Sequence, residues 1–189
     1  MVIDCPVCNG KNAAESTQKT SNIPHFGEIL ETTLICTACG YKHSDVICLE
    51  QKDPVKLTLP INKDTISSRV VKSQSATVII PELGLKVEPG PKSLGYVSNI
   101  EGVITRFEEV VKKALAIFED EESQKNGQLI LEKLNQLANG EIEATLIIED
   151  PFGQSNIMDI KVKKDSLTEE ELKHLKTGFT IIEENSKSK

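Results

Sequence analysis

Two Cys-x-x-Cys pairs, Cys5-Pro-Val-Cys8 and Cys36-Thr-Ala-Cys39, stand 27 residues apart and hold four of the chain's five cysteines. No other feature restricts the fold as strongly. Two residues between cysteines let one tight turn aim both sulfurs at a single ion, and zinc takes four soft ligands in a tetrahedron. Turn formers follow each pair: Asn9-Gly10 after the first, Gly40 after the second. Gly40 permits a positive φ, which swings backbone N–H groups towards the sulfurs. The expected arrangement is a zinc ribbon, two knuckles crowning short antiparallel strands. Cys5, Cys8, Cys36 and Cys39 would hold one structural zinc ion.

Two other uses of paired cysteines fit less well. A thioredoxin-like redox motif needs one pair in a βαβ context, which surrounds neither pair. A disulfide framework belongs to oxidising compartments. Met-Val-Ile-Asp-Cys at the N-terminus has neither the basic region nor the apolar run of a signal peptide. No stretch approaches the ~20 apolar residues of a membrane span. The expectation is a cytoplasmic chain with reduced thiols. Four thiolates would close the coordination shell, so no catalysis is expected at the metal. His25 and His43 are spare ligands at most, and Cys48 in Asp-Val-Ile-Cys-Leu-Glu reads as a buried strand residue.

Ribbons often bind nucleic acid, so charge matters to the choice of partner. Net charge is −7 over 189 residues. Residues 1–60 carry 5 positive and 7 negative side chains, residues 61–140 carry 10 and 11, and residues 141–189 carry 7 and 11. Phosphate neutralisation needs clustered Lys and Arg, which no segment supplies. Tryptophan is absent and aromatics make up only 4%, a poor supply of base-stacking platforms. A nucleic-acid-binding ribbon acting in transcription or translation is therefore the second reading, behind a protein-binding one.

Past the ribbon, "VKLTLPI" (55–61) alternates as a strand does, and "SATVIIPEL" (75–83) is a β-branched run stopped by Pro81. "LGLKVEPGP" (83–91) alternates until Pro89-Gly90-Pro91. From Glu101 the period changes. Val103, Phe107, Val110, Val111, Ala114, Leu115 and Phe118 form one helical stripe. Acidic residues 119–122 and Asn126-Gly127 read as a connection, and Leu129 or Ile130, Leu134 and Leu137 as a second stripe ended by Asn139-Gly140. Strands return at 143–150 and 155–164 around the turn Asp150-Pro-Phe-Gly-Gln. "SLTEEELKHLKTG" (166–178) reads as a short capped helix, followed by a polar tail. The predicted class is mostly β with an α insertion. It comprises a zinc ribbon over 1–50, then a β-sandwich or jelly-roll module over 51–165 with a helical hairpin at about 101–139, then a short helix and tail over 166–189.

Six strings occur in order: "CPVC", "NIPHFGEI", "CTACGY", "RVVKSQSATVIIPEL", "SNIEG" and "EDPFGQS". Together they resemble the Zpr-type zinc-finger proteins. That resemblance implies a ribbon joined to a β module of double-stranded-helix type with an inserted hairpin. Eukaryotic members carry two such units and this chain one, as in the archaeal form. The family is known for binding translation elongation factor 1-alpha, a GTPase, and its eukaryotic members for chaperoning that factor's folding. The same partner is implied here. The chain departs from the usual family strings at Gln154 and at Ser98-Asn99-Ile100.

Within these strings, Ile23-Pro24-His25-Phe26 is an apolar tip on a polar spacer, a candidate partner anchor or a piece of core. Lys72, with Ser73 and Ser75, is a candidate contact for an acidic surface or a phosphate, or a solvated strand end. Glu101 and Asp150 have the chemistry of an acid–base pair, but they read more simply as a helix entry and a turn residue. No P-loop, dinucleotide fingerprint, nucleophile elbow or zinc-hydrolase motif is present, so no enzyme is expected.

Overall fold

A computed structural model describes residues 1–23, 27–49, 52–91 and 93–177. The chain divides into two compact units, Met1–Lys52 and Asp53–Lys189.

The first unit is a four-stranded antiparallel sheet in the order β1-β2-β3-β4. Its strands are β1 (Val2–Ile3), β2 (Ala14–Ile23), β3 (Gly27–Cys36) and β4 (Lys42–Cys48). The spacer between the cysteine pairs is thus one long hairpin. β2 and β3 stay in register from Ala14 opposite Cys36 to Ile23 opposite Gly27. Alternate Thr, Ile and Leu side chains suit a pleated, half-exposed surface. The predicted strands on both sides of the second knuckle are β3 and β4.

Twelve segments make up the described part of the second unit. They are β5 (Val55–Ile61), β6 (Arg69–Lys72), β7 (Thr77–Ile80), a 3-10 turn (Pro81–Leu83), β8 (Leu85–Val87), β9 (Tyr96–Asn99), α1 (Ile100–Leu115), α2 (Glu121–Ala138), β10 (Ala144–Asp150), β11 (Asn156–Met158), β12 (Lys163–Ser166) and α3 (Glu169–His174). Two sheets form, β12-β5-β10-β7-β8 and β11-β6-β9. Period-2 patterning explains the sandwich. Leu57, Leu59 and Ile61 of β5, Val78 and Ile80 of β7, and Ala144, Leu146 and Ile148 of β10 face one core. Val70 and Ile157 close it from the smaller sheet, and Val103, Phe107, Leu134 and Leu137 of the hairpin join it. Each fully buried aliphatic side chain contributes roughly 1.5–3 kcal/mol. The result is the expected mostly-β jelly-roll with a docked helical hairpin.

The structure corrects several local readings. Val110 and Phe118 are exposed, whereas Ile104, left off the predicted stripe, is buried. Asn126-Gly127 is no connection but lies inside α2, which starts at Glu121 behind the N-cap Asp120. A Cβ at Gly127 would sit 2.4 Å from Leu115 Cδ2, so glycine here lets the two helices close. The segment 155–164 splits between the two sheets as β11 and β12. Strands β6 and β9 carried no alternation strong enough to read. The short capped helix read over 166–178 is α3, confined to Glu169–His174, where Thr168 is the N-cap in a reciprocal box with Glu171.

Candidate metal centre

Each cysteine pair is built by the same turn. In the first knuckle Cys5 N donates to Gly10 O at 3.0 Å, and Asn9 N donates to Cys5 O at 2.9 Å. In the second, Cys36 N donates to Tyr41 O at 2.8 Å, and Gly40 N donates to Cys36 O at 3.0 Å. The residue after each second cysteine is left-handed, Gly40 at φ 73° as expected and Asn9 at φ 55°. Asparagine is one of the few side-chain-bearing residues that tolerates this region. The exposure pattern repeats too: Cys5 and Cys36 are buried, Cys8 and Cys39 exposed.

The long β2–β3 hairpin and its Ala14–Cys36 pairing bring the knuckles together. All four Sγ atoms lie within 4.8 Å of one another. Cys5 Sγ is 3.8 Å from Cys39 Sγ, and Cys8 Sγ is 3.8 Å from Cys36 Sγ. A disulfide would need ~2.05 Å. Four sulfurs each ~2.3 Å from a central zinc at tetrahedral corners lie ~3.8 Å apart. The donor set and spacing therefore fit zinc, and four thiolates from Cys5, Cys8, Cys36 and Cys39 would fill its tetrahedral shell. When bound, the ion would supply the cross-link between the two knuckles.

As free thiols, Cys5 and Cys39 are shifted in opposite directions. The backbone N–H of Cys8, opposed by burial and helped by that of Val7, brings Cys5 down to about 6. Cys39 is pulled down by the Tyr41 backbone, but sharing protons with Cys36, Cys8 and Cys5 pushes it up to about 12. A cation takes all four as thiolates. His43 is exposed and outside the four-sulfur set. His25 and Phe26 lie outside the described residues, as do the side chains of Ile23 and Cys48.

Sequence reasoning missed a second polar centre, in the jelly-roll unit. Lys72 is no solvated strand end: it is 5% exposed, and a side chain so buried is no surface anchor. It pairs with Tyr96 across β6 and β9, and its Nζ donates to Ser73 O at 2.9 Å and Ser93 Oγ at 3.3 Å. Burial lowers its pKa to about 8, against the opposing pull of Asp150. Asp150, 0% exposed, ends the inward row Ala144, Leu146, Ile148 of β10. Its Oδ1 accepts from Ser75 Oγ (3.1 Å) and Phe152 N (3.0 Å), its Oδ2 from Gln154 N (2.9 Å) and Ser155 N (2.6 Å). Ser155 Oγ in turn accepts from Ser73 N at 3.0 Å. The strings "KSQSA" and "EDPFGQS" are thus two halves of one clamp. A carboxylate with four neutral donors is satisfied and rigid. The signal was present, since each string is polar yet flanked by apolar strand runs. Asp150 is therefore spoken for by its own turn, while Glu101 is exposed on the first turn of α1.

Comparison with known proteins agrees with this architecture. Residues 64–177 match the ZPR1 jelly-roll domain. An uncharacterised ZPR1-like protein of Methanocaldococcus jannaschii is 42% identical over 182 residues, 96% of this chain and 92% of that protein. A ZPR1-like protein of Pyrococcus horikoshii is 40% identical over 183 residues, 95% of this chain and 82% of that one. The zinc finger chaperone zpr1 of Schizosaccharomyces pombe is 30% identical over 188 residues, 97% of this chain but only 39% of its own length. Relatives named as zinc finger proteins, together with four converging thiols, make zinc the cofactor. Ribbon, jelly-roll and inserted hairpin in one chain, matched over nearly its whole length by these relatives, place the protein in the ZPR1 family.

Proposed function

We propose that this chain is a cytoplasmic, zinc-dependent binding partner and folding chaperone of translation elongation factor 1-alpha, the GTPase that delivers aminoacyl-tRNA, and that Cys5, Cys8, Cys36 and Cys39 are its zinc ligands. The observation that carries the reading is the match to a relative named as a zinc finger chaperone over 97% of this chain. The chemistry supports it. A closed four-thiol centre offers a structural cross-link rather than a reactive position, and a chain of charge −7 is poorly suited to phosphate backbones. No described helix is long and apolar enough to cross a membrane. Within the ribbon, Ile23 and Phe26 are the proposed anchors. The test is binding of purified elongation factor from the same source to zinc-loaded protein, with GDP and with GTP. Saturable binding in either state supports the proposal. Its absence in both, with steeply salt-dependent tRNA binding instead, would replace it with the nucleic-acid reading.

A further inference from the structure

The chain contains two arginines, Arg69 and Arg106, and both lie against β9. Arg69 on β6 pairs across the ladder with Asn99 of β9. Arg106 on α1 donates from Nη1 to Ser98 Oγ at 3.4 Å and to Gly102 O at 2.8 Å. Its guanidinium also stacks 4.1 Å from the Tyr96 ring centroid. Arg106 is thus pinned. Arg69 is exposed and forms no ion pair with any described residue. It lines a cleft of about 390 Å³ with Ser67, Val97, Ser98 and Asn99. Asp159, bonded to neighbouring Ser68, already accepts from the Ser68 hydroxyl and the Lys161 backbone N–H.

The cleft runs along an open strand. In the sheet β11-β6-β9, β9 is an edge among the described residues. Ile100 N donates to Ser68 O on the β6 side. By the period of two, Val97 turns its own N–H and C=O to the open side. Val97 is also 51% exposed, on the sheet face it shares with Arg69. An unpaired edge with an exposed apolar residue is a template for strand addition. An uncompensated guanidinium over that edge, on a chain of net charge −7, selects the sign of what is added.

We propose that β9 is a docking edge for an extended, acidic segment of a partner protein, which adds as a strand with an apolar residue against Val97 and a carboxylate on Arg69. The inference does not depend on which protein the ribbon serves. The test is a titration of the full ¹⁵N-labelled, zinc-loaded chain with the peptide acetyl-Glu-Thr-Val-Thr-Glu-amide. A glutamate on either side of the valine serves both strand directions. Amide shifts at residue 69 and at 95–99, saturating at about 1 mM or below, are expected. The lysine counterpart of the peptide and the Arg69→Ala variant should each bind at least tenfold more weakly. Val97→Pro, which removes only the outward N–H of an edge strand, should abolish binding with the melting temperature retained. No shifts in this range, shifts centred elsewhere, equal binding of the lysine peptide, or unchanged affinity in Arg69→Ala would each overturn the proposal.

Discussion

The two units of this chain are held together in opposite ways. The jelly-roll unit has a core of buried aliphatic side chains drawn from β5, β6, β7, β10, β11 and both hairpin helices. In the ribbon the buried cluster at the knuckles is Cys5, Ala14 and Cys36, two of which are metal-ligating residue types. One unit removes apolar surface from water, while the other has little to remove at that end and depends on a cation. This difference teaches where the metal matters. Zinc binding should be folding free energy for the first 52 residues and nearly irrelevant to the rest.

The largest expected effect follows directly. Structural zinc sites contribute ~10–16 kcal/mol in small peptides at neutral pH. Cys36→Ser removes a buried thiol of the four-sulfur cluster. It should abolish stoichiometric zinc in elemental analysis and unfold the ribbon, while the jelly-roll keeps its cooperative melting transition. The converse variant is Leu146→Ala, at a fully buried position of β10. It should cost roughly 2–5 kcal/mol in urea unfolding of the jelly-roll and leave zinc content at one per chain.

A smaller effect sharpens the contrast, because the jelly-roll also buries a charge. Lys72 is pushed down to about 8 by burial, below its unfolded value. The folded state therefore binds fewer protons than the unfolded state between pH ~8 and ~10.5, and stability rises with pH across that window. Below pH 8 the cost of the buried ammonium is fully present. Lys72→Met should remove up to about 3 kcal/mol of this pH dependence, measured as the wild-type minus variant stability from pH 7 to 10. A flat difference would show that the ammonium is solvated.

How legible all this was depends on the physics of each part. The knuckles were legible because tetrahedral coordination fixes residue type and spacing together, so four cysteines in two pairs leave little freedom. Strands β5, β7 and β10 were legible because one face of each is apolar, as in Ala144, Leu146 and Ile148. β6 and β9 were not, since Lys72, Tyr96 and Ser98 occupy their inward rows. The Lys72–Asp150 clamp was hidden because its halves lie 78 positions apart in sequence and meet only through sheet topology. The start of α2 was misread because Gly127 serves packing against Leu115 rather than a turn.

The smallest expected effect concerns the partner. Phe26→Ala should weaken binding of elongation factor 1-alpha by roughly 1–3 kcal/mol, a typical hot-spot loss, with zinc content and melting temperature nearly unchanged. A marked fall in melting temperature with affinity intact would make Phe26 core instead of contact.

The most direct measurement of the division between the units is residue-resolved amide exchange before and after zinc is stripped by a chelator. Protection of the β2–β3 and β3–β4 hydrogen bonds should collapse, while that of β5, β7 and β10 persists unchanged. Equal loss of protection in both units would contradict the claim that the metal folds one unit alone, as would full retention in the ribbon.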